Sequence, residues 1–304
     1  MPRKLILTIL LFCSLKMNSC INEVTHYLKD NTLLFQDGED RVPYGHNFNQ
    51  VTVLEKALKN LDSLFLVTKD NAYLSDKGIV LIVLKKYEEA EKIYLKIEKN
   101  SPNRYSTASN LGTLYELMGE NSKALFWIEK SYKIEPNSHN NSEWIHINIL
   151  KAKIKGENYF TSKFILGLEF GDSIEPRTLL QKDSLSKLSD ALFYQLNERV
   201  SFIKGKDKIV ASLLFELGNI EYLLGNMFGA KENYKLAIRY GFTEKNIEKR
   251  LGNAYDTFYK EMIKNRSGGQ IPKVDNSIMY SLQIITILLV LIVFIVLILA
   301  KKSK

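Results

Sequence analysis

Thirty-four residues separate Gly78 from Gly112, Ala90 from Ala124, and Pro102 from Pro136. Within each copy the glycine leads the alanine by 12 positions, and the alanine leads the proline by 12. Leu217-Gly218 and Leu251-Gly252 repeat the 34-residue step, and Gly218 again leads an alanine, Ala230, by 12. A fixed period of this size constrains the fold more than any local feature. One such unit is a single supersecondary element that cannot bury its apolar face alone, so units must stack on their neighbours.

The columns have a physical sense. A glycine between Leu111 and Tyr115 leaves room for a second helix to approach, and Ala124 is the small residue facing it. Ile128 and Ser131 continue that second face at i+4 and i+7. Pro136 then ends the helix, because it lacks the backbone donor and disfavours helix in the residue before it. The third copy repeats the scheme with Gly218, Tyr222, Ala230, Tyr234 and Ala237; it has no closing proline, and Tyr240-Gly241 is expected to end that helix. This pattern resembles the tetratricopeptide repeat, a helix–turn–helix unit. The resemblance implies an all-α solenoid of antiparallel helix pairs over 51–264. Clear copies are expected at 71–104, 105–138 and 211–244, with a partial copy at 245–264.

Residues 139–210 fit the period poorly. Two apolar series there are helical, Trp144, Ile145, Ile149, Ala152 and then Leu185, Leu188, Leu192, Leu196, Val200, separated by a loop with Gly167, Gly171 and Pro176. Leu54, Ala57, Leu58, Leu61 and Phe65 mark an amphipathic helix that caps the array. Residues 21–50 read as a loop-rich leader, with Asp37, Glu39 and Asp40 in a solvated acidic loop. Residues 265–277 read as a tether.

The chain carries 42 Lys and Arg against 34 Asp and Glu, a net charge of +8. Six of the basic residues, Arg3, Lys4, Lys16, Lys301, Lys302 and Lys304, flank two apolar runs. Without them 36 basic residues face 34 acidic ones, which excludes a nucleic-acid footprint over the interior. Residues 1–20 have the basic start and short apolar run of a signal peptide. Met17-Asn18-Ser19-Cys20 resembles a lipoprotein box, which would make Cys20 a lipidated first residue; an ordinary cleaved signal with a free cysteine is the alternative. Ile278 to Ala300 is 23 residues without a charge, long enough at about 1.5 Å per residue to span a bilayer, with the basic tail 301–304 expected on the cytoplasmic side. The array is then expected on the periplasmic or extracellular side of a bacterial membrane.

No segment matches a nucleophile elbow, a phosphate-binding glycine loop, or a zinc-binding CxxC or HExxH pattern. His139, Glu143 and His146 share one helical face at i, i+4 and i+7 and read as surface polar residues. No catalysis, cofactor or metal is therefore expected. The repeat resemblance implies a partner-binding concave face lined by the first helix of each unit. By register these positions are Ser109, Thr113 and Glu116; Phe215, Asn219 and Tyr222; and Lys249, Asn253 and Asp256. The first copy contributes Ser75, Ile79 and Ile82. This face lacks the basic clamp that acidic peptide tails need. The expected function is a membrane-anchored scaffold for partner proteins or peptides. The alternatives are an envelope assembly or export factor handling extended polypeptides and, more remotely, a hydrolase or small-ligand receptor using the loops at 21–50 and 167–176.

Overall fold

The computed structural model describes residues 24–38, 41–244 and 246–266. They fall in two compact units, the first ending at Tyr255 and the second beginning at Asp256. In chain order the elements are β1 (Thr25–Tyr27), β2 (Leu33–Gln36), α1 (Val51–Thr68), α2 (Asn71–Val83), α3 (Tyr87–Asn100), α4 (Tyr105–Leu117), α5 (Asn121–Ile134), the single turn α6 (Ser138–Asn141), α7 (Glu143–Lys155), α8 (Ser162–Leu166), α9 (Lys182–Phe202), α10 (Lys208–Leu224), α11 (Met227–Arg239) and α12 (Asn246–Arg266). The chain is predominantly α-helical, and α2/α3, α4/α5 and α10/α11 form helix pairs compatible with a helical repeat.

The glycine columns mark where these pairs touch. A Cβ on Gly78 would lie 2.5 Å from the Tyr94 ring, one on Gly112 2.2 Å from the Ile128 side chain, and one on Gly218 2.6 Å from the Tyr234 ring. In each case the intruding side chain stands 16 residues after the glycine, and Ala90, Ala124 and Ala230 are fully buried beside it. Both rings are pinned: the Tyr94 hydroxyl donates to the Ser75 carbonyl at 3.0 Å, and that of Tyr234 to Asn219 Oδ1 at 2.8 Å. Pro102 and Pro136 lie two residues past the ends of α3 and α5, as their missing donors require. Gly252 departs from the pattern. It is exposed, and a Cβ there would meet nothing within 4 Å. α12 runs on to Arg266 as one helix, so no second helix of that unit approaches Gly252 among the described residues.

The leader contains more structure than its loops suggest. β1 and β2 pair antiparallel, and Phe48 bridges to Phe35. Leu28, Leu34 and Phe35 are buried in one cluster with Leu54, Ala57 and Leu61 of α1 and Ile79 and Val80 of α2. Lys29 straps the hairpin down: its backbone N–H donates to Asp76 at 2.5 Å and its ammonium to Asp70 at 2.5 Å. Asp70 also caps α2, accepting from the Ala72 N–H. Asp37 is not in a solvated loop. It accepts from His46, Asn197 and the Asn47 N–H, because α9 packs beside it. Strands of three and four residues are too short to show a period of two.

Among the described residues, no helix is long and apolar enough to cross a membrane. The signal-like segment 1–20 with Cys20, Glu39 and Asp40, the tether beyond Arg266, the apolar run Ile278 to Ala300 and the tail 301–304 lie outside the described residues.

Candidate functional site

Much of the first-helix face is covered by the chain itself. Ser75, Ile79 and Ile82 of α2 are buried, Ile79 within the hairpin cluster. Ser109 is buried in α4. Phe215 and Asn219 of α10 are buried too: the Phe215 ring stacks on Phe242 at 4.3 Å, and Asn219 Oδ1 accepts from Arg250 at 2.6 Å as well as from Tyr234. These six residues therefore belong to the interior and not to an open binding face. Tyr222 is half-buried and accepts a bond from Asn253 at 2.8 Å, while Lys249 and Asp256 are exposed. Lys249 lines a cavity with Asp172, Ser173 and Ile174, and Thr113 and Glu116 line another, walled by several helices.

That cavity, a groove of about 340 Å³, is bounded by α4, α7 and α9. Its apolar walls include Tyr87, Leu117, Phe202 and Ile203. At its base the Glu116 carboxylate receives Lys153 at 2.7 Å, His146 Nε2 at 2.6 Å and Arg199 at 3.2 Å. Burial opposes ionisation of Glu116, but the charges of Arg199, Lys153 and His146 outweigh it and hold the carboxyl well below the usual range. Behind this centre, Glu143 accepts from His139 at 2.6 Å and from the Tyr105 hydroxyl at 3.2 Å, and lies 3.8 Å from His146 Nδ1. His139, Glu143 and His146 thus do meet, but not at the surface: Glu143 is 1% exposed and His146 5%. His139 stands outside α7, in the left-handed turn α6, so the three share no helical face; they converge beneath α4 and α9, where Tyr105 bonds His139 and Glu143, Glu116 bonds His146, and the Tyr194 ring packs on His139. Among the described residues no group of three or more His, Cys, Asp or Glu is arranged to hold a metal.

A second buried charge string joins the groove to the leader. His46 shares a bond with Asp37 at 2.7 Å, lies 3.8 Å from Glu198 of the groove wall, and stacks on Phe35 at 3.9 Å. Burial would lower its pKa, yet the bonds and charges of Asp37 and Glu198 raise it to about 9. A raised folded pKa means that the stabilisation is full below the unfolded value near 6.5 and is lost as pH rises through about 9. Urea unfolding midpoints are expected to fall between pH 6.5 and 9.5 in the native chain and to change less in His46→Gln; parallel pH profiles would contradict this assignment.

Sequence reasoning missed Lys153, Glu198, Arg199 and His46. Only Arg199 left a signal, as a charge on the apolar seam of Leu185, Leu188, Leu192 and Leu196 in α9. No protein-family model matches the chain, and no curated protein matches it.

Proposed function

We propose that this chain is a membrane-anchored scaffold of tetratricopeptide-like repeats that binds a partner protein or peptide in the groove between α4, α7 and α9. The observation that carries the reading is the groove itself: the first-helix positions Thr113 and Glu116 line it, with the Glu116 charge cluster at its base between apolar walls. The repeated glycine approaches support the repeat assignment. The charge-flanked apolar run Ile278 to Ala300 and the signal-like start support placement on the non-cytoplasmic side of a bacterial membrane, with the C-terminus in the cytoplasm. This reading involves no catalysis, cofactor or nucleic acid. An assembly or export factor for extended polypeptides shares the same groove and differs in predicting weak binding to many unrelated peptides.

The test is in-cell photo-crosslinking of the full-length chain. A photoreactive residue at Thr113 is expected to capture a discrete partner, and one at Ser122, exposed on α5, is not. Equal labelling from both positions, or none from Thr113, would sink the proposal. A ladder of many weak adducts from Thr113 alone would favour the export reading.

A further inference from the structure

A separate cavity of about 450 Å³ lies on the other side of α9, between that helix and the leader. Arg41, Tyr44, Asn140, Asp190, Phe193 and Tyr194 line it. Its rear wall is fixed. Gly45 (φ +85°) donates its N–H to Asn197 at 2.9 Å and approaches α9 so closely that a Cβ would lie 2.9 Å from the Ser201 backbone nitrogen. The adjacent His46 donates its N–H to Ser201 Oγ at 2.7 Å.

Three features of the lining specify a ligand class. Among the described residues the charged groups of the lining are paired, Arg41 with Asp190 and His46 with Asp37. The described lining therefore offers no unpaired charge to an anion or a cation. The Arg41–Asp190 pair is half exposed, and pairs of that kind hold together weakly, so a ligand with adjacent donors and acceptors can bridge them. Aromatic faces are present as well. Phe193 already lies 5.8 Å from the Arg41 guanidinium, and Tyr194 packs 5.2 Å from the His139 ring. Finally, Asn140 is placed at a backbone cost. His139, Asn140 and Asn141 are three consecutive non-glycine residues in the left-handed region, at φ 50°, 52° and 57°. Strain of this kind persists where the surroundings over-determine it, and it concentrates at ligand sites. Here the surroundings are the bonds of His139 to Glu143 and Tyr105, while Asn140 beside it stays exposed and unbonded among the described residues, at the cavity edge.

We propose that this cavity binds a neutral saccharide of one or two pyranose rings. Each ring hydroxyl is both donor and acceptor. Neighbouring hydroxyls therefore satisfy the Asp190 carboxylate and the Arg41 guanidinium together, and a third meets both halves of the Asn140 amide. The apolar C–H face of the ring lies on Phe193 and Tyr194. The volume is within the ~300–1,000 Å³ range of small-molecule sites. The site is independent of the groove reading, since α9 separates the two cavities.

Titration calorimetry on the full-length chain in detergent tests this. The probes are cellobiose, maltose and the β-1,4 disaccharide of N-acetylglucosamine as neutral sugars, glucosamine and galacturonate as charged ones, and tetra-alanine as a peptide. At least one neutral disaccharide is expected to bind saturably and more tightly than the charged sugars. Asn140→Gly removes the amide while relaxing the backbone, and Asp190→Ala removes the acceptor; each is expected to weaken that sugar about ten-fold, ~1.4 kcal/mol, without lowering the melting temperature. Thr113→Arg, in the groove, is expected to leave sugar binding unchanged. Absence of saturable binding by all three neutral disaccharides, tighter binding of tetra-alanine, or sugar binding indifferent to Asn140→Gly and Asp190→Ala would each overturn the proposal.

Discussion

Replacing Gly218 with alanine is expected to cost about 3 kcal/mol, although alanine is the better helix former by about 1 kcal/mol. The added methyl would lie 2.6 Å from two carbons of the Tyr234 ring and 3.3 Å from the Ala230 carbonyl oxygen. The ring cannot swing away, because it is fully buried and its hydroxyl is bonded to Asn219, which also holds Arg250. Relief requires α10 and α11 to separate along their contact, and densely packed interiors yield poorly to that. At ~2–4 °C per kcal/mol for a domain of this size, the melting temperature falls by about 6–12 °C. Gly252→Ala is the matched control. It adds the same methyl in open space in α12 and is expected to leave stability unchanged or slightly raised. If the two substitutions behave alike, the close approach at Gly218 is not what this glycine is for.

Glu116→Gln is expected to cost about 3 kcal/mol, the lower end of the range for removing one member of a buried charge cluster. The glutamine keeps the shape but leaves Arg199, buried in α9, and His146, buried in α7, facing each other and Lys153 without the carboxylate that joins them. The pH profile separates this charge effect from packing. A depressed folded pKa contributes stability that is present above about 4.5 and is lost as pH falls through the lower folded value. The native chain is therefore expected to lose stability on acidification below pH 4.5, and Glu116→Gln to show a shallower loss. Asp183→Ala serves as the contrast, since its pair with Lys187 is exposed on both sides and its removal is expected to leave unfolding unchanged. Equal acid limbs in native and Glu116→Gln chains would show that the carboxylate is not the stabilising group.

The helix pairs were legible in the sequence because their contacts are local. Gly78 meets Tyr94, and Gly218 meets Tyr234, over 16 residues, so each pairing leaves a fixed spacing in the chain. The ends of α3 and α5 are set by Pro102 and Pro136 within two residues. Which face of those pairs stays open was not legible. Tertiary structure alone decided that the hairpin covers α2, that α9 meets α4 through Arg199 and Glu116, and that Arg250 and Phe242 close over α10. These contacts join residues 47 apart at Lys29 and Asp76, 83 apart at Arg199 and Glu116, and 155 apart at His46 and Ser201. A spacing rule sees only what recurs at short range. Contacts between distant segments carry no period, so the helices are written in the chain's local pattern, while the two cavities exist only once the leader and α9 have packed onto them.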